Sequence, residues 1–277
     1  MLDQPFLEDS EQDDEMSFLD HLEIFRWHLI RSISAIAIGA IVAFAGRKWI
    51  VAVIEGPTKL DFWTYRKLCD LSQLFGNNAF CIENLNFELI NRKIMGQFTQ
   101  HLLVSVVAGF VIAFPYLLFE AWKFLKPALR TKERKYLRGI IFSGSILFFL
   151  GVLTGYFMLA PVSIQFLVNY TFMDQLQNTI DIQSYISLIT MVTLAAAAIF
   201  ELPIIVYFLA KVGLVSAPLM RTYRRHALLV ILILSAIITP PDIMSQILLT
   251  IPFFILYETS IFIAAAVRKR ELEEEGE

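Results

Sequence analysis

The sequence predicts an all-α integral membrane protein with six transmembrane helices, on three observations. The chain has 277 residues, of which 57% are hydrophobic and only 18% charged, whereas a soluble chain of this length carries more charge. A thirteen-residue apolar run, Ala227–Thr239, predicts a short fifth span. Five further apolar runs have the roughly eighteen residues needed to cross a bilayer core of about 30 Å. They are Leu29–Gly46, Phe98–Phe119, Ile140–Pro161, Tyr185–Ala210 and Ile247–Val267.

The start of the chain is acidic. Nine acidic residues, from Asp3 to Glu23, precede the first basic residue, Arg26. A cleavable signal peptide begins with positive charge, so we expect none here. We expect residues 1–17 to form a flexible acidic tail, which is either simply solvated or attracts basic peptides over a distance. Residues 18–32 place apolar side chains on one helical face, which predicts an interfacial helix before the first span.

The basic residues predict the orientation in the membrane. If both termini are cytoplasmic, sixteen of the 23 Lys and Arg residues lie inside, and the other seven lie in one long outer segment, from Arg47 to Lys93. This asymmetry predicts an N-in, C-in protein. The membrane domain is then residues 18–267, followed by a charged tail at 268–277. Its outer loops are about 47–97 and 162–184, and its inner loops about 120–139 and 211–226.

Both cysteines of the chain, Cys69 and Cys81, lie in the long outer loop. Paired cysteines on the outer face of a membrane favour a disulfide that closes the loop. The alternative is two unpaired thiols in a tolerant insertion.

Glu201 is the only carboxylic acid between Ile189 and Lys211. A carboxyl group among apolar neighbours is costly in lipid and in a protein core alike, so an intramembrane acid is by default a functional residue. It could serve an ion pathway, a proton relay or contact with a polar partner. The alternative is a hydrogen bond to Ser or Thr on a neighbouring span. Pro203 follows two residues later and predicts a kink in the helix.

The fifth span ends in the segment "IITPPDIMSQ". Two prolines, Pro240 and Pro241, break the helix there. Thirteen residues extend about 20 Å, so the turn carrying Asp242 and Gln246 is expected to lie deep in the bilayer. A deep polar turn needs a cover of protein or water, which makes it a candidate docking site for another helix.

The first inner loop, "EAWKFLKPALRTKERKYLRG", is rich in cations. Glu133 is the one acid among seven basic residues between Lys123 and Arg138. It could pair locally with a neighbouring Lys or Arg, or bind a cationic ligand. The chain has no P-loop, no HExxH and no Gly-rich phosphate loop, so we expect no metal, no cofactor, no nucleotide hydrolysis and no nucleic-acid partner.

Five motifs in order give the chain a resemblance to a known family. They are "HLEIFRWHLI", "EAWKFLKPALRTKER", "FFLGVLTGYFMLAP", "FELPI" and "TPPDIMSQILLTIPFFILYE". Together they resemble the TatC subunit of the twin-arginine protein translocase, from Phe18 to Val267. The resemblance implies a non-enzymatic receptor of the bacterial inner membrane. It would bind twin-arginine signal peptides, recruit TatA- and TatB-type single-span proteins, and assemble with further copies of itself. Folded proteins would be exported on the proton-motive force.

The resemblance also implies a signal-peptide site at the cytoplasmic face. Glu133 matches the family's loop acid, and two guanidinium groups prefer carboxylates, which accept bidentate hydrogen bonds. The family's N-terminal acid falls on Ile24, and Glu23 lies one residue earlier, about 100° round the helix. We therefore expect Glu133 to carry more of the recognition than usual. The implied site residues are Glu23, Arg26, Phe124, Pro127, Glu133 and Arg134.

A second implied site receives the partner helices. Glu201 matches the family's acid in the fourth span, which faces a groove, and the turn after the fifth span supplies further polar contacts. The implied contact residues are Glu201, Thr239, Asp242 and Gln246. We assign structural roles to four prolines: Pro57, Pro203, Pro240 and Pro241.

Two other functions compete with this interpretation. A proton- or ion-coupled secondary transporter could use Glu201, although we see no internal repeat of the kind that many such folds carry. An intramembrane hydrolase could use Ser143 or Ser145 with His226. Small residues at those serine positions more simply allow close packing of helices.

Overall fold

The computed structural model describes residues 18–74, 81, 87–125, 137–170, 179–238 and 243–275, and within them the chain is almost entirely helical. The helices are α1 Phe18–Ala45, α2 Arg47–Glu55, α3 Trp63–Leu74, α4 Gly96–Leu125, α5 Leu137–Thr154, α6 Ala160–Asn169, α7 Ile182–Phe200, α8 Leu202–Lys211, α9 Ala217–Thr222, α10 Arg224–Ile238 and α11 Ile243–Glu275. Two three-residue strands, β1 Glu88–Ile90 and β2 Thr179–Asp181, pair in parallel.

Five helical stretches in the described residues are long and apolar enough to cross a membrane, as the sequence predicts. They are Leu22–Ala45, Gly96–Phe124, Gly139–Asn169, Ile182–Lys211 and Gln246–Lys269. Large apolar side chains such as Ile38, Ile41 and Phe262 point outward, each more than 60% exposed, which fits contact with lipid. The remaining apolar helix, α10, has 15 residues and is therefore only about 22 Å long.

The structure corrects four details of the predicted fold. The β1–β2 pair means that the chain is not purely α-helical. Residues 18–32 form no separate interfacial helix: they are the first half of α1, because no proline or glycine interrupts the helix before Gly39. Helix α6 continues beyond Pro161 to Asn169. The charged C-terminal segment continues α11 as far as Glu275.

Helices α1 and α4 pack at backbone distance. A Cβ on Gly109 would lie 2.4 Å from the backbone nitrogen of Ala40, and one on Gly39 would lie 2.9 Å from the carbonyl oxygen of Gly109. No real Cβ fits at those distances, so glycine at both positions is what lets the two helices meet. Small residues in a helix interface are typical of membrane proteins, where close van der Waals packing replaces the hydrophobic drive.

Helix α7 occupies the centre of the bundle and packs closely on α5. A Cβ on Gly151 would lie 2.6 Å from the Cα of Ala197 in α7. On its other side α7 contributes Val192 and Ala196 to a core that includes Leu249 and Phe253 of α11, and all four are fully buried. The central position of α7 is what brings residue 201 close to its neighbours.

One end of the bundle is covered by α2, α3 and the 3₁₀ turn Gly56–Thr58 between them, which we call the cap. Three tyrosines hold the end of α2 and this turn by donating to backbone carbonyls. The hydroxyl of Tyr65 lies 2.9 Å from the oxygen of Pro57, that of Tyr185 2.8 Å from Ile54, and Tyr156 bonds to Val53. Burial raises the pKa of Tyr65 well above its ordinary value, so its hydroxyl keeps its proton.

A disulfide and a buried proline further fix the cap. Cys69 of α3 is joined to Cys81. Pro57, for which we predicted a structural role, is a buried residue of the cap's turn, and its carbonyl accepts a hydrogen bond from the Tyr65 hydroxyl. Thr64 ties the start of α3 to the carbonyl of Phe157, in a single π-helical turn that joins α5 to α6.

Candidate sites for a partner helix and a signal peptide

Glu201 lies at a break in the central helix. Helix α7 ends at Phe200 and α8 begins at Leu202, with Glu201 as the residue between them. Pro203 stands in the first turn of α8, where its missing N–H costs nothing. The carbonyl of Glu201 accepts from the amides of Ile204 and Ile205, each at 3.0 Å, so the second helix starts without a loop. The helix is therefore interrupted at Glu201, two residues before Pro203.

The carboxyl group of Glu201 faces α5. Its Oε2 would lie 3.5 Å, an ordinary contact distance, from a Cβ built on Gly144, whereas the side chains of Leu118 and Ile204 would lie 2.5 and 2.7 Å from that Cβ. Its Oε1 is buried and has no hydrogen-bond partner among the residues that the structure describes. An unsatisfied buried acceptor is costly, and a donor from outside the described fold would relieve that cost. The alternative of a hydrogen bond to Ser or Thr on a neighbouring span is not seen in the described part.

The second predicted contact region is described only at Gln246. Its Nε2 donates to the carbonyl of Leu232 at 3.1 Å and so ties α11 to α10. One turn further on, Thr250 donates to the carbonyl of Gln246 at 2.7 Å and lies 3.3 Å from the hydroxyl of Ser235. Gln246 therefore stabilises the α10–α11 pair. Four of the predicted residues, Thr239, Pro240, Pro241 and Asp242, lie outside the described residues.

At the end of the bundle opposite the cap, the first turns of α1 meet the last turn of α4. The rings of Phe25 and Phe124 are 5.3 Å apart between centroids. Beside them Nδ1 of His28 donates to Oε2 of Glu120, and the hydroxyl of Tyr116 donates to Oε1 of the same carboxylate at 2.7 Å. Phe124 is thus held in place by groups on both helices.

Glu120 is a residue that the sequence argument did not single out. It is only 3% exposed, yet both of its carboxylate oxygens have partners. Glu120 stands four residues after Tyr116 and four before Phe124, so the three side chains share one helical face. That spacing is the feature of the sequence from which a role for Glu120 could have been predicted. Because His28 and Tyr116 already occupy the carboxylate, Glu120 supports this end of the bundle and is not free to bind a cationic peptide.

The predicted N-terminal site residues are exposed. Arg26 and Glu23 approach each other at 3.8 Å, with side chains 63% and 66% exposed, and the Arg26 guanidinium lies 5.7 Å from the ring centroid of Trp27. A pair this exposed contributes little to stability, so both charges remain available to a ligand. The other predicted residues, Pro127, Glu133 and Arg134, lie outside the described residues.

These features define a polytopic helical membrane protein with a broken central helix, exposed charges at one end, and an acid at the break whose Oε1 has no hydrogen bond within the described residues. A family model described as Sec-independent protein translocase protein (TatC) matches residues 20–252. The chain belongs to the TatC family, and is a component of the twin-arginine protein translocase in a bacterial membrane.

Relatives and solved structures agree with this assignment. A TatC protein from Blattabacterium sp. subsp. Periplaneta americana (strain BPLAN) is 42% identical over 260 residues, covering 93% of this chain and 98% of the relative. One from Aquifex aeolicus (strain VF5) is 31% identical over 261 residues, covering 93% and 99%. The crystal structure of a twin arginine translocase receptor, TatC, has a TM-score of 0.68 and 28% identity, covering 90% of this chain and 99% of that one.

Because the chain belongs to the TatC family, we do not retain the two competing functions, a secondary transporter and an intramembrane hydrolase. The family is that of a protein translocase component, not of a secondary transporter or a hydrolase. For the hydrolase, Ser145 donates to the carbonyl of Ile141 in its own helix at 2.8 Å, and the ring of His226 packs on Tyr223 at 5.4 Å. Within the described part, neither Ser143 nor Ser145 hydrogen bonds to that histidine.

Proposed function

We propose that this chain is the receptor subunit of its translocase. In this proposal it binds twin-arginine signal peptides at the end opposite the cap, recruits TatA- and TatB-type helices at Glu201, and works with further copies of itself. Folded proteins then leave on the proton-motive force. The protein crosses the inner membrane six times, with α10 as the short fifth span, and both termini are cytoplasmic. The membrane domain is residues 18–267, between the acidic tail 1–17 and the charged tail 268–277. The bias of Lys and Arg toward one side supports the orientation.

The signal-peptide site joins the exposed Glu23 and Arg26 of α1 to the loop residues Pro127, Glu133 and Arg134. Its floor is the Phe25–Phe124 contact, which the His28–Glu120 bond holds in place. Two guanidinium groups of a signal peptide would pair with the carboxylates of Glu23 and Glu133. Glu120 does not compete for them, because it is buried and already bonded.

The observation that carries the partner site is the orphaned carboxyl oxygen of Glu201. Glu201 as a whole is half-buried, with Oε1 as its buried, unbonded atom. Glu120 is buried as a whole, and both of its carboxylate oxygens have partners within the chain. The fold therefore supplies hydrogen bonds to an acid that it buries. A polar side chain on a partner's membrane helix, inserted beside α5 and α7, would supply the missing hydrogen bond. Thr239, Asp242 and Gln246 would extend that contact along the α10–α11 turn.

Two substitutions of Glu201 test the proposal. Glu201→Gln keeps the shape and the hydrogen-bonding capacity, so partner binding and much of the transport should persist. Glu201→Leu removes that capacity and should weaken partner binding. Each purified variant is assayed by photocrosslinking, once to a twin-arginine signal peptide and once to the partner helix. The expected result is a Leu variant that loses the partner crosslink and retains the signal-peptide crosslink.

Two outcomes contradict the proposal. If a well-folded Leu variant loses both crosslinks equally, Glu201 supports the whole fold and not a partner site. If the Gln variant keeps both crosslinks and loses transport, the function of Glu201 lies in proton uptake and release.

A further inference from the structure

A cavity of about 300 Å³ opens at the cap end of the bundle, far from the two sites described above. It lies between α2, β1 and the first turns of α4 and α7. Its polar lining residues are Arg47, Glu55, Gln97, Gln100 and His101. Arg47, Glu55 and Gln97 are exposed, whereas Gln100 is buried and His101 half-buried. Buried polar groups are normally hydrogen-bonded, so Gln100 and His101 call for an explanation.

Two of these side chains each have one buried polar atom without a hydrogen bond among the described residues. Gln100 is only 4% exposed, and its Oε1 has no hydrogen bond among the described residues. The same holds for Nε2 of the neighbouring His101. The His101 ring stacks on Phe44 with centroids 4.2 Å apart, so it is held against the cavity wall. Two adjacent unbonded groups on one cavity indicate a ligand that forms hydrogen bonds.

The mouth of the cavity carries an unneutralised positive charge. Arg47 is exposed and forms no ion pair within the described part of the chain. The one acid in the lining, Glu55, has a cation of its own, Lys59, at 3.6 Å, in an exposed pair that solvent screens. A ligand for this cavity therefore has an anionic group at the level of Arg47 and hydrogen-bonding groups beyond it.

The depth of the cavity matches the headgroup region of a bilayer. Helix α4 has 30 residues and is about 45 Å long, which equals a bilayer with its headgroups. Gln100 is four residues into that helix, about 6 Å from its end. Apolar lining residues, among them Ile50, Val104 and Ile186, continue the cavity toward the membrane core.

We propose that this cavity binds the headgroup of a glycerophospholipid from the adjoining leaflet. The phosphate pairs with Arg47, and the guanidinium is well suited to that planar, bidentate contact. The ester and headgroup oxygens or amine bond to Gln100 and His101, and the first methylenes of one acyl chain pass Ile50 and Val104. The bound lipid completes the wall between the cap and the bundle.

Native mass spectrometry of the full-length protein, released from detergent, tests the proposal. The probes are phosphatidylethanolamine, phosphatidylglycerol and a diacylglycerol with the same acyl chains, and inorganic phosphate is tested as a competitor. Arg47→Gln should lower the affinity for both phospholipids about tenfold, the effect of losing one charge-assisted hydrogen bond. Gln100→Leu should lower it as well. Lys48→Gln is the matched control, since Lys48 is the adjacent exposed cation and does not line the cavity.

A photoactivatable phosphatidylethanolamine locates the bound lipid, and the crosslinked peptide should fall within residues 47–55 or 97–104. Three results would overturn the proposal. One is equal binding by the Arg47 and Lys48 variants. Another is diacylglycerol binding as tight as phospholipid binding. The last is full displacement of the lipid by inorganic phosphate, which would assign the cavity to a free anion.

Discussion

The buried hydrogen bond between His28 and Glu120 gives a prediction that needs no transport assay. His28→Leu removes one of the two donors to a carboxylate that is only 3% exposed, and leaves Tyr116 as the other. A hydrogen bond to a charged group contributes about 1.5 to 3 kcal/mol. For a chain of this size the loss should lower the midpoint of thermal unfolding by roughly 3 to 10 °C.

The matched control is Glu23→Gln. Glu23 and Arg26 also form a pair, at 3.8 Å, but both side chains are more than 60% exposed. Exposed pairs contribute at most about 1 kcal/mol, so this variant should unfold close to the parent. The comparison separates the effect of burial from the loss of an acid–base contact as such.

The double variant His28→Leu with Glu120→Leu tests the mechanism. When both partners become apolar, no carboxylate is left buried without its donor, so the double variant should be more stable than the sum of the single losses predicts. Thermal unfolding in one detergent, followed by loss of the folded fraction, is measured for five proteins: the parent, the two single variants, the double variant and the Glu23→Gln control. The reasoning is refuted if His28→Leu is no less stable than Glu23→Gln, or if the single losses add up.

Three further predictions concern the signal site, the cap and the bundle interface. Glu133→Ala should nearly abolish crosslinking to a twin-arginine peptide and Glu23→Ala should reduce it less, because Ile24 stands where the family has its N-terminal acid; a parental crosslink in the Glu133 variant would contradict the assignment. The disulfide of the cap should appear in non-reducing peptide maps and add roughly 3 kcal/mol to stability on a chain-entropy model, whereas two freely alkylated thiols would exclude it. Gly109→Val should lower the folded yield, because its Cβ would lie 2.4 Å from a backbone nitrogen of α1, while Gly139→Ala, which meets nothing within 4 Å, should not.

The spans and the broken helix were predictable because both follow from local sequence. The length of an apolar run sets whether a helix crosses the bilayer, and five such runs became five bilayer-length helices. Pro203 next to Glu201 predicts a break from the chemistry of proline alone. Neither inference needs to know which helices touch.

The bond between His28 and Glu120 was not predictable in that way, because the two residues lie 92 positions apart and meet only through the packing of α1 on α4. The strand pair and the tyrosine contacts at the cap end of the bundle were likewise not predictable from local sequence. Strands β1 and β2 have three residues each, too few for a periodic pattern. Nothing in the sequence around Tyr185 indicates that its hydroxyl bonds to Ile54, 131 positions earlier.

Two acidic residues, Glu120 and Glu201, differ in whether the fold supplies hydrogen-bond partners for their carboxyl groups, and this difference indicates what each residue does. Glu120 and Glu201 both lie within membrane-spanning helices, where an ionisable residue is costly. The fold surrounds Glu120 with two donors from α1 and α4, so its cost is offset inside the chain, and its substitution should act on stability. It leaves Oε1 of Glu201 buried and unbonded in the described structure. An acid retained under those conditions contributes nothing evident to the stability of the isolated chain. Its substitution should therefore act on what binds there.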